Sequence, residues 1–130
     1  MAGWSAKDLA QVERAEELEI TTTRADGTVR HAVPIWVVRV GQSMYVRTWH
    51  RRDTGWFGHV MRSGQAHIRV PGLEREVAVE DLGGVDPDLR AQVDAPYRAK
   101  YGRYGAATVD RMIGDDAAAA TLRLVPAGPS

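Results

Sequence analysis

The sequence predicts an α+β protein built mainly on an antiparallel β-sheet of six strands, with short helices at its periphery. Six segments alternate apolar and polar residues or are rich in β-branched residues, as strands are. Tight-turn sequences containing glycine join several of these segments, which favours antiparallel neighbours. Apolar residues recur at helical spacing only in short stretches, so the helices should be minor elements.

The first forty residues predict a helix followed by a β-hairpin. A serine cap and apolar residues at helical spacing predict a helix over residues 5–16. Residues 18–24 alternate and are β-branched, which predicts a strand. An Asp-Gly pair then predicts a turn into a long return strand over residues 28–40. Pro34 lies inside this strand and cannot donate a ladder hydrogen bond, so we expect a bulge or a bend at a barrel corner.

The middle of the chain predicts three more strands and one helix. A Gly-Gln turn leads into a third strand, residues 44–48, so that the first three strands form a meander. Residues 49–55 break the alternation and predict a loop. Residues 56–63 predict a two-turn helix that ends at a glycine cap. Alternation returns in residues 66–70 and 76–80, the fourth and fifth strands.

The last third of the chain is mainly helical. A helix should begin near Pro87, because proline suits the first helical position. Since Pro96 would clash inside one continuous helix, we expect Asp94 to cap a second helix that ends at about Tyr101. Apolar residues recur every four positions and predict the buried stripe of these helices: Leu89, Val93, Tyr97 and Tyr101.

One further helix and one strand complete the predicted fold. Residues 107–113 predict a short helix, and residues 118–125 predict the sixth strand. An antiparallel sheet of this size avoids open edges by closing into a small barrel, whose interior is filled by side chains. Any ligand should therefore bind outside the barrel or between subunits. We expect a single domain over residues 1–130, with loose tails at residues 1–4 and 127–130.

Composition excludes several classes of protein. Hydrophobic residues make up 44% of the chain and charged residues 26%, as in globular domains. The chain contains no cysteine, which excludes disulfide scaffolds, cysteine metal sites and thiol catalysis. No apolar run is long enough to span a membrane, and the charged N-terminus does not resemble a secretory signal. We therefore expect a cytoplasmic protein with no membrane partner.

Charge is unevenly distributed although the formal net charge is zero. Residues 27–75 contain eight basic and two acidic side chains, whereas both flanking regions are acidic. This pattern indicates a local anion site; a nucleic-acid-binding domain is usually positive as a whole, so we do not expect nucleic acid as a partner. Alternatively, these arginines are only the solvated sides of strands.

The most suggestive segment runs from residue 45 to residue 56. Arg47 and Thr48 fall at a strand end, Arg51 and Arg52 lie in the predicted loop, and a helix begins near Trp56. Guanidinium groups, a hydroxyl and free amides at a helix N-terminus can bind a phosphate or a carboxylate. The indole of Trp56, together with that of neighbouring Trp49, could line a site for a flat ring. The alternative is a basic surface loop with one tryptophan in the core.

Histidine offers the remaining candidates for acid–base chemistry. His50 and His59 lie near the arginine-rich segment and are the candidate catalytic residues. Hydrogen-bonded surface histidines are the alternative. No pair of histidines has the spacing of a metal-binding helix, so we expect no metal site. Neither a nucleophile elbow nor a phosphate-binding glycine loop is present.

Three sequence runs carry a resemblance to known proteins. Residues 33–40, followed by residues 44–48 and the arginine-rich loop, resemble the split-barrel flavin-binding proteins, which include the pyridoxamine-phosphate oxidases and the deazaflavin-dependent nitroreductases. More narrowly, the chain resembles an uncharacterised bacterial family of short split-barrel proteins in the runs 34–38, 97–102 and 120–126.

The resemblance implies a homodimer that binds FMN or a deazaflavin coenzyme across the subunit interface. Basic and hydroxyl groups after the third strand would hold the cofactor's phosphate, and the strand that carries Trp36 would run beside the flavin ring. The matching phosphate-binding positions in this sequence are Arg47, Thr48, Arg51 and Arg52. Related flavin proteins commonly have a lysine in this loop where this chain has arginines, so the alternative of no flavin stays open.

Three functions follow from these features. The first is a flavin- or deazaflavin-dependent oxidoreductase that acts on a small organic molecule. The second is a flavin-free enzyme that uses the same site for isomerisation, dehydration or cyclisation of a small metabolite, with His50, His59 and Asp53 as acid–base groups. The third is a protein that binds a small ligand without catalysis.

Overall fold

A computed structural model describes residues 4–24, 26–48, 55–82 and 87–127, which form a seven-stranded antiparallel sheet with helices packed around it. The strands are β1 (Leu18–Thr21), β2 (Val33–Ile35), β3 (Val37–Val40), β4 (Ser43–Arg47), β5 (Gln65–Val70), β6 (Leu73–Asp81) and β7 (Thr121–Pro126). The helices are α1 (Ala6–Arg14), α2 (Gly55–Ser63), α3 (Pro87–Tyr101), α4 (Ala106–Ile113) and α5 (Asp115–Ala119), with a 3₁₀ turn at Gly102–Tyr104. The predicted α+β class is confirmed. Among these residues, no helix combines the length and the hydropathy that a membrane-spanning segment requires.

The sheet closes on itself at a single residue, Trp36. The strand order is β2-β1-β5-β6-β7-β4-β3, so β2 and β3 are the two edges of the sheet. Trp36 joins these edges directly, because β2 ends at Ile35 and β3 begins at Val37. The predicted return strand is therefore divided, which gives seven strands where six were predicted. The division falls two residues after Pro34, close to the predicted bend.

The Tyr101 side chain, from the last turn of α3, stabilises this closure. Its ring stacks on the indole of Trp36, with the ring centroids 4.1 Å apart and the planes 4° from parallel. Its hydroxyl accepts a hydrogen bond from the Val37 N–H at 3.1 Å and donates one to the Glu16 carbonyl oxygen at 2.7 Å. Backbone groups that no strand partner can reach at the division are thus satisfied by a side chain.

Lys100, the residue before Tyr101 in α3, stabilises the same closure of the barrel. Its Nζ donates to the carbonyl oxygen of Val37 at 2.9 Å and to that of Val12 at 3.0 Å. Partial burial lowers the pKa of Lys100 to about 8. The last turn of α3 therefore connects the start of β3 to the end of α1.

Strand alternation divides the buried side chains between the inside of the barrel and its outer face. Along β4, Met44 and Val46 point into the barrel core, whereas Tyr45 packs outside it under α3 and α4. Ile68, Leu122 and the other inward residues fill the interior, as predicted. The outer cluster consists of Val38, Tyr45, Val93, Tyr97, Tyr101, Val109 and Met112.

The helices depart from prediction at two places. One helix, α3, runs continuously through Pro96, although a break was predicted there. The cost of a proline inside a helix, about 3 kcal/mol or more, is offset because the buried stripe continues across it. Asp94 is not a helix cap; it is buried and faces Arg47. The last strand begins at Thr121, later than predicted, because the alanine-rich residues before it form α5.

We expect Tyr101→Phe to lower the free energy of unfolding by about 1–3 kcal/mol, because it leaves the Val37 amide and the Glu16 carbonyl without their partner. Urea denaturation of the two proteins measures the difference. The control is Tyr104→Phe, since Tyr104 is 43% exposed and should lose less than about 0.5 kcal/mol. Equal losses in the two variants would contradict the role given to Tyr101.

Candidate functional site

A cleft of about 230 Å³ opens on the outer side of the barrel beside its closure. It brings together four residues that the sequence analysis selected as cofactor-binding: Trp36, Arg47, Thr48 and Trp56. The remaining lining residues come from α4 and from the segments around β1 and β2: Glu17, Pro34, Ile35, Thr108 and Met112. Two indoles, one guanidinium group, one carboxylate and two threonine hydroxyls therefore meet in one cleft.

Each of the four selected residues is placed by a different local feature. Trp36 lies at the division between β2 and β3, where the chain leaves one edge of the sheet for the other. Arg47 is the last residue of β4, and Thr48 follows it. Trp56 lies in the first turn of α2, which begins at Gly55. The cleft thus depends on the closure of the barrel, on the end of β4 and on the start of α2.

Arg47 is buried, with its side chain fully withdrawn from solvent. Its Nε donates to the Thr121 Oγ1 at 2.8 Å. One terminal nitrogen donates both to the Asp94 Oδ1 at 2.5 Å and to the Met112 carbonyl oxygen at 2.9 Å. The guanidinium carbon also lies 5.5 Å from the centre of the Tyr97 ring. These contacts tie β4, β7, α3 and α4 to one charged group.

One terminal nitrogen of Arg47 makes none of these contacts. Among the described residues, this buried nitrogen has no hydrogen-bond partner, and neither has the buried Tyr97 hydroxyl. Burial raises the pKa of Tyr97, which keeps its hydroxyl protonated and able to donate. Because Asp94 neutralises Arg47, the described part of the cleft offers a ligand a hydrogen-bond donor more than a net positive charge.

Aromatic contacts fix the two indoles. One face of Trp36 is covered by Tyr101, and the ring of Tyr104 lies 5.5 Å from it at an angle of 32°. Trp56 meets Phe57 edge to face, with centroids 5.6 Å apart. Both indoles are half-buried. Held in this way, they can present flat apolar surfaces to a ring system in the cleft.

Three selected residues lie outside the described residues: His50, Arg51 and Arg52. Their assignment as catalytic or cofactor-binding groups therefore stays a prediction, as does the role given to Asp53 in the acid–base alternative.

His59, the other candidate catalytic residue, does not line the cleft. Its Nδ1 accepts a hydrogen bond from Arg62 at 2.6 Å. Partial burial, together with the positive charges of Arg30, Arg62 and Arg24, lowers the pKa of His59. The structure therefore places this histidine beside Arg62, in the positive surroundings of Arg24 and Arg30, and outside the set of residues that line the cleft.

Sequence reasoning missed the groups that come from distant parts of the chain. Glu17 and Thr108 reach the cleft from the segment before β1 and from α4, and no local pattern marks either of them. The sequence did contain an indirect signal for Asp94. Arg47 is the only charged residue in an otherwise mainly apolar strand, and an arginine buried there needs a carboxylate partner from elsewhere in the fold, which Asp94 provides.

Among the described residues, no group of histidine and carboxylate side chains could hold a metal ion. The group that most resembles a metal site is His67 with two glutamates: its Nδ1 lies 2.5 Å from Glu76 Oε1 and its Nε2 lies 2.7 Å from Glu74 Oε2. The two carboxylates, however, occupy opposite sides of the ring. Although desolvation opposes it, the hydrogen bonds with these carboxylates raise the pKa of His67.

We expect His67→Gln to reduce stability more at pH 6 than at pH 9. A raised pKa means that the folded state favours the protonated ring, so its contribution is complete below about pH 6.5 and is lost as the pH rises through the folded-state value. The ring is one third exposed, so the effect should stay below about 1 kcal/mol. Urea denaturation at the two pH values measures it, with the exposed His31→Gln as control. An effect that does not depend on pH would contradict the pairing.

We expect Asp94→Asn to lower the free energy of unfolding by about 3 kcal/mol or more, because it leaves the buried charge of Arg47 without its counter-charge. The control is Asp115→Asn. The Asp115 side chain is 91% exposed and pairs with Arg90 at 2.9 Å, and such surface pairs contribute less than about 1 kcal/mol. Chemical denaturation compares the two. Similar small losses would mean that Arg47 does not depend on Asp94.

Solved structures with this fold cover nearly the whole chain. The heme storage protein HutZ from Vibrio cholerae is 12% identical with a TM-score of 0.65, and the match covers 95% of this chain and 91% of that one. A candidate pyridoxamine 5'-phosphate oxidase from Listeria innocua is 16% identical with a TM-score of 0.61, over 94% and 92% of the two chains. An F420 reductase is 18% identical with a TM-score of 0.52, over 93% and 92%.

At these identities, the likeness to solved structures establishes the fold alone. No curated protein sequence matches the chain. The sequence model of one family, described as "Uncharacterized protein conserved in bacteria (DUF2255)", matches residues 8–124. The chain is therefore a member of this bacterial family, and its fold is the split barrel of the pyridoxamine-phosphate oxidase-like proteins.

Proposed function

We propose that the protein binds a flavin-type cofactor, FMN or a deazaflavin coenzyme, in the cleft beside Trp36 and acts as an oxidoreductase on a small organic molecule. The observation that carries this proposal is the meeting of two half-buried indoles with an unpartnered guanidinium nitrogen of Arg47. The fold is shared with an F420 reductase and with a candidate pyridoxamine 5'-phosphate oxidase, which supports a redox cofactor. When bound, that cofactor supplies the hydride or electron transfer.

The lining residues suit the ring of such a cofactor. A flavin ring is flat and apolar over its faces, and Trp36 and Trp56 offer matching surfaces. Its edge carries carbonyl acceptors and one N–H donor. The terminal nitrogen of Arg47 that lacks a partner among the described residues carries two N–H groups to donate, and the carboxylate of Glu17 can accept. The chain's own part is to bind and orient the ring and to exclude water from it.

The phosphate requires positive charge that Arg47 does not provide, since Asp94 neutralises it. Arg51 and Arg52 are the proposed phosphate ligands. Arg52 follows Thr48 by four residues, so the backbone keeps it within about 14 Å of the cleft. Their long side chains can span part of that distance, and guanidinium groups bind phosphate through paired hydrogen bonds.

A second copy of the chain would complete the site. Pockets for small molecules usually measure about 300–1,000 Å³, whereas this cleft measures about 230 Å³. A whole cofactor therefore extends beyond it. We propose that a homodimer encloses the remainder, as the split-barrel fold allows at its outer face.

The flavin-free acid–base enzyme has less support from the geometry. Of the acid–base groups named for it, His59 does not line the cleft, and His50 and Asp53 lie outside the described residues. The carboxylate of Glu17, however, does line the cleft. A protein that binds a ligand without catalysis would use the same cleft, and only turnover separates it from an oxidoreductase.

The test compares FMN with riboflavin, which has the same ring and no phosphate. We expect the Arg51→Ala/Arg52→Ala variant to bind FMN about tenfold or more weakly while its affinity for riboflavin changes little, because only the phosphate contacts are lost. Absorbance and fluorescence titrations measure both affinities. The matched control, Arg75→Ala/Arg98→Ala, removes the same charge from elsewhere on the surface and should leave both affinities unchanged.

A second variant tests the part of the site proposed to bind the flavin ring. Trp56→Leu should weaken the binding of FMN and of riboflavin by the same factor. If neither ligand nor a deazaflavin coenzyme binds the unmodified protein, the cofactor proposal is wrong. If a cofactor binds and no pair of electron donor and acceptor gives turnover, the protein is a binding protein and not an oxidoreductase.

A further inference from the structure

A second group of cations lies away from the cleft, on the first hairpin. Backbone hydrogen bonds pair Arg24 with Thr28 at 2.8 Å and Arg30 with Thr22 at 2.9 Å. Directly opposed residues of an antiparallel pair share a face, and so do alternate residues of one strand. Arg24 and Arg30 therefore lie on the same face as Thr22, which is only 4% exposed and so faces the body of the protein.

The second half of α2 lies against that face. Ser63, at the end of α2, borders the same small pocket as Thr22. The residue before it, Arg62, donates to the Nδ1 of His59, one turn earlier in α2, at 2.6 Å. We call the surface between the hairpin and α2 the basic groove, and its members are Arg24, Arg30, His59 and Arg62.

Ion pairs with the arginines of the basic groove are absent among the residues that the structure describes: none of its three guanidinium groups has a carboxylate within ion-pair distance. Within the same part of the chain, the Nε of Arg30 is buried without a hydrogen-bond partner. Arg30 also borders a pocket that contains Glu19 and Glu74, but these carboxylates pair with Arg69 and His67.

One acidic group lies at the tip of the hairpin. Asp26 accepts hydrogen bonds from the backbone and the hydroxyl of Thr28. These two bonds, together with the nearby charge of Arg30, lower the pKa of Asp26. Only its Oδ1 is held within the turn and the group keeps its negative charge, so this one carboxylate offsets part of the positive charge of the three guanidinium groups.

We propose that the basic groove binds the phosphate group of a small anionic ligand, such as a phosphate monoester or a pyrophosphate. Guanidinium groups match the geometry of phosphate oxygens. Several of them around one anion bind it more tightly than a single exposed guanidinium group can. The groove is separate from the flavin cleft, since none of its members lines that cleft. The inference therefore holds whether or not the protein binds a flavin.

His59 provides a direct reporter of occupancy. Neighbouring arginines favour its neutral form, and an anion placed among them removes that effect. Binding of an anion and protonation of His59 should therefore strengthen each other.

The experiment titrates the full protein with inorganic pyrophosphate and follows the ring protons of His59 by NMR over a range of pH. We expect saturating pyrophosphate to raise the pKa of His59 by about half a unit or more. The Arg24→Ala/Arg62→Ala variant should bind pyrophosphate about fivefold more weakly. Both side chains are exposed, so this variant should fold normally. The control, Arg75→Ala/Arg98→Ala, should bind as the unmodified protein does.

Three results would overturn the proposal. The first is a pyrophosphate titration that gives no saturable shift at His59. The second is an equal loss of affinity in the control variant, which would assign the effect to net charge alone. The third is tighter binding of a short DNA duplex than of pyrophosphate, with the same response at His59, which would assign the groove to nucleic acid.

Discussion

The contact between the last turn of α3 and the division at Trp36 is the constraint on which the rest of the structure depends. Leaving one strand for another at a single residue exposes backbone groups that the sheet cannot pair. The hydroxyl of Tyr101 and the ammonium group of Lys100 pair them. Because both donors come from α3, that helix must lie across the outer face of the barrel, where it creates the second core. The barrel and its covering helices are therefore joined at this point by side-chain hydrogen bonds.

The cleft is a consequence of the same arrangement. Trp36 belongs to the closure and to the cleft, and α4, which packs beside α3, contributes Thr108 and Met112. The buried pair of Arg47 and Asp94 connects these elements. A buried ion pair adds little to stability in comparison with apolar packing, but it tolerates only one arrangement of its partners. The pair therefore constrains where the guanidinium group of Arg47 lies.

Local patterns predicted most of the strands, because alternation and tight turns reflect interactions between near neighbours in the chain. They could not predict the division at Trp36, which depends on a tyrosine hydroxyl 65 positions further along. The helix break predicted at Pro96 was wrong for the same reason. The sequence shows the local cost of a proline inside a helix, whereas the burial that offsets this cost comes from tertiary packing. The candidate site was reached in part through the resemblance, whereas Glu17 arrives at the cleft only through the fold. Arg51 and Arg52 stay predictions.

Trp36 would also link the tendency of the protein to aggregate to the ligand proposed for the cleft. Trp36 joins β2 and β3, the two edge strands of the sheet, and exposed strand edges are templates for pairing with other molecules. A ligand that packs against the free side of the indole holds the residue in place, and any ligand that binds only the folded state reduces the population of opened forms. The ligand-free protein would accordingly be the form that aggregates on storage, and adding the correct ligand during purification would extend its useful life.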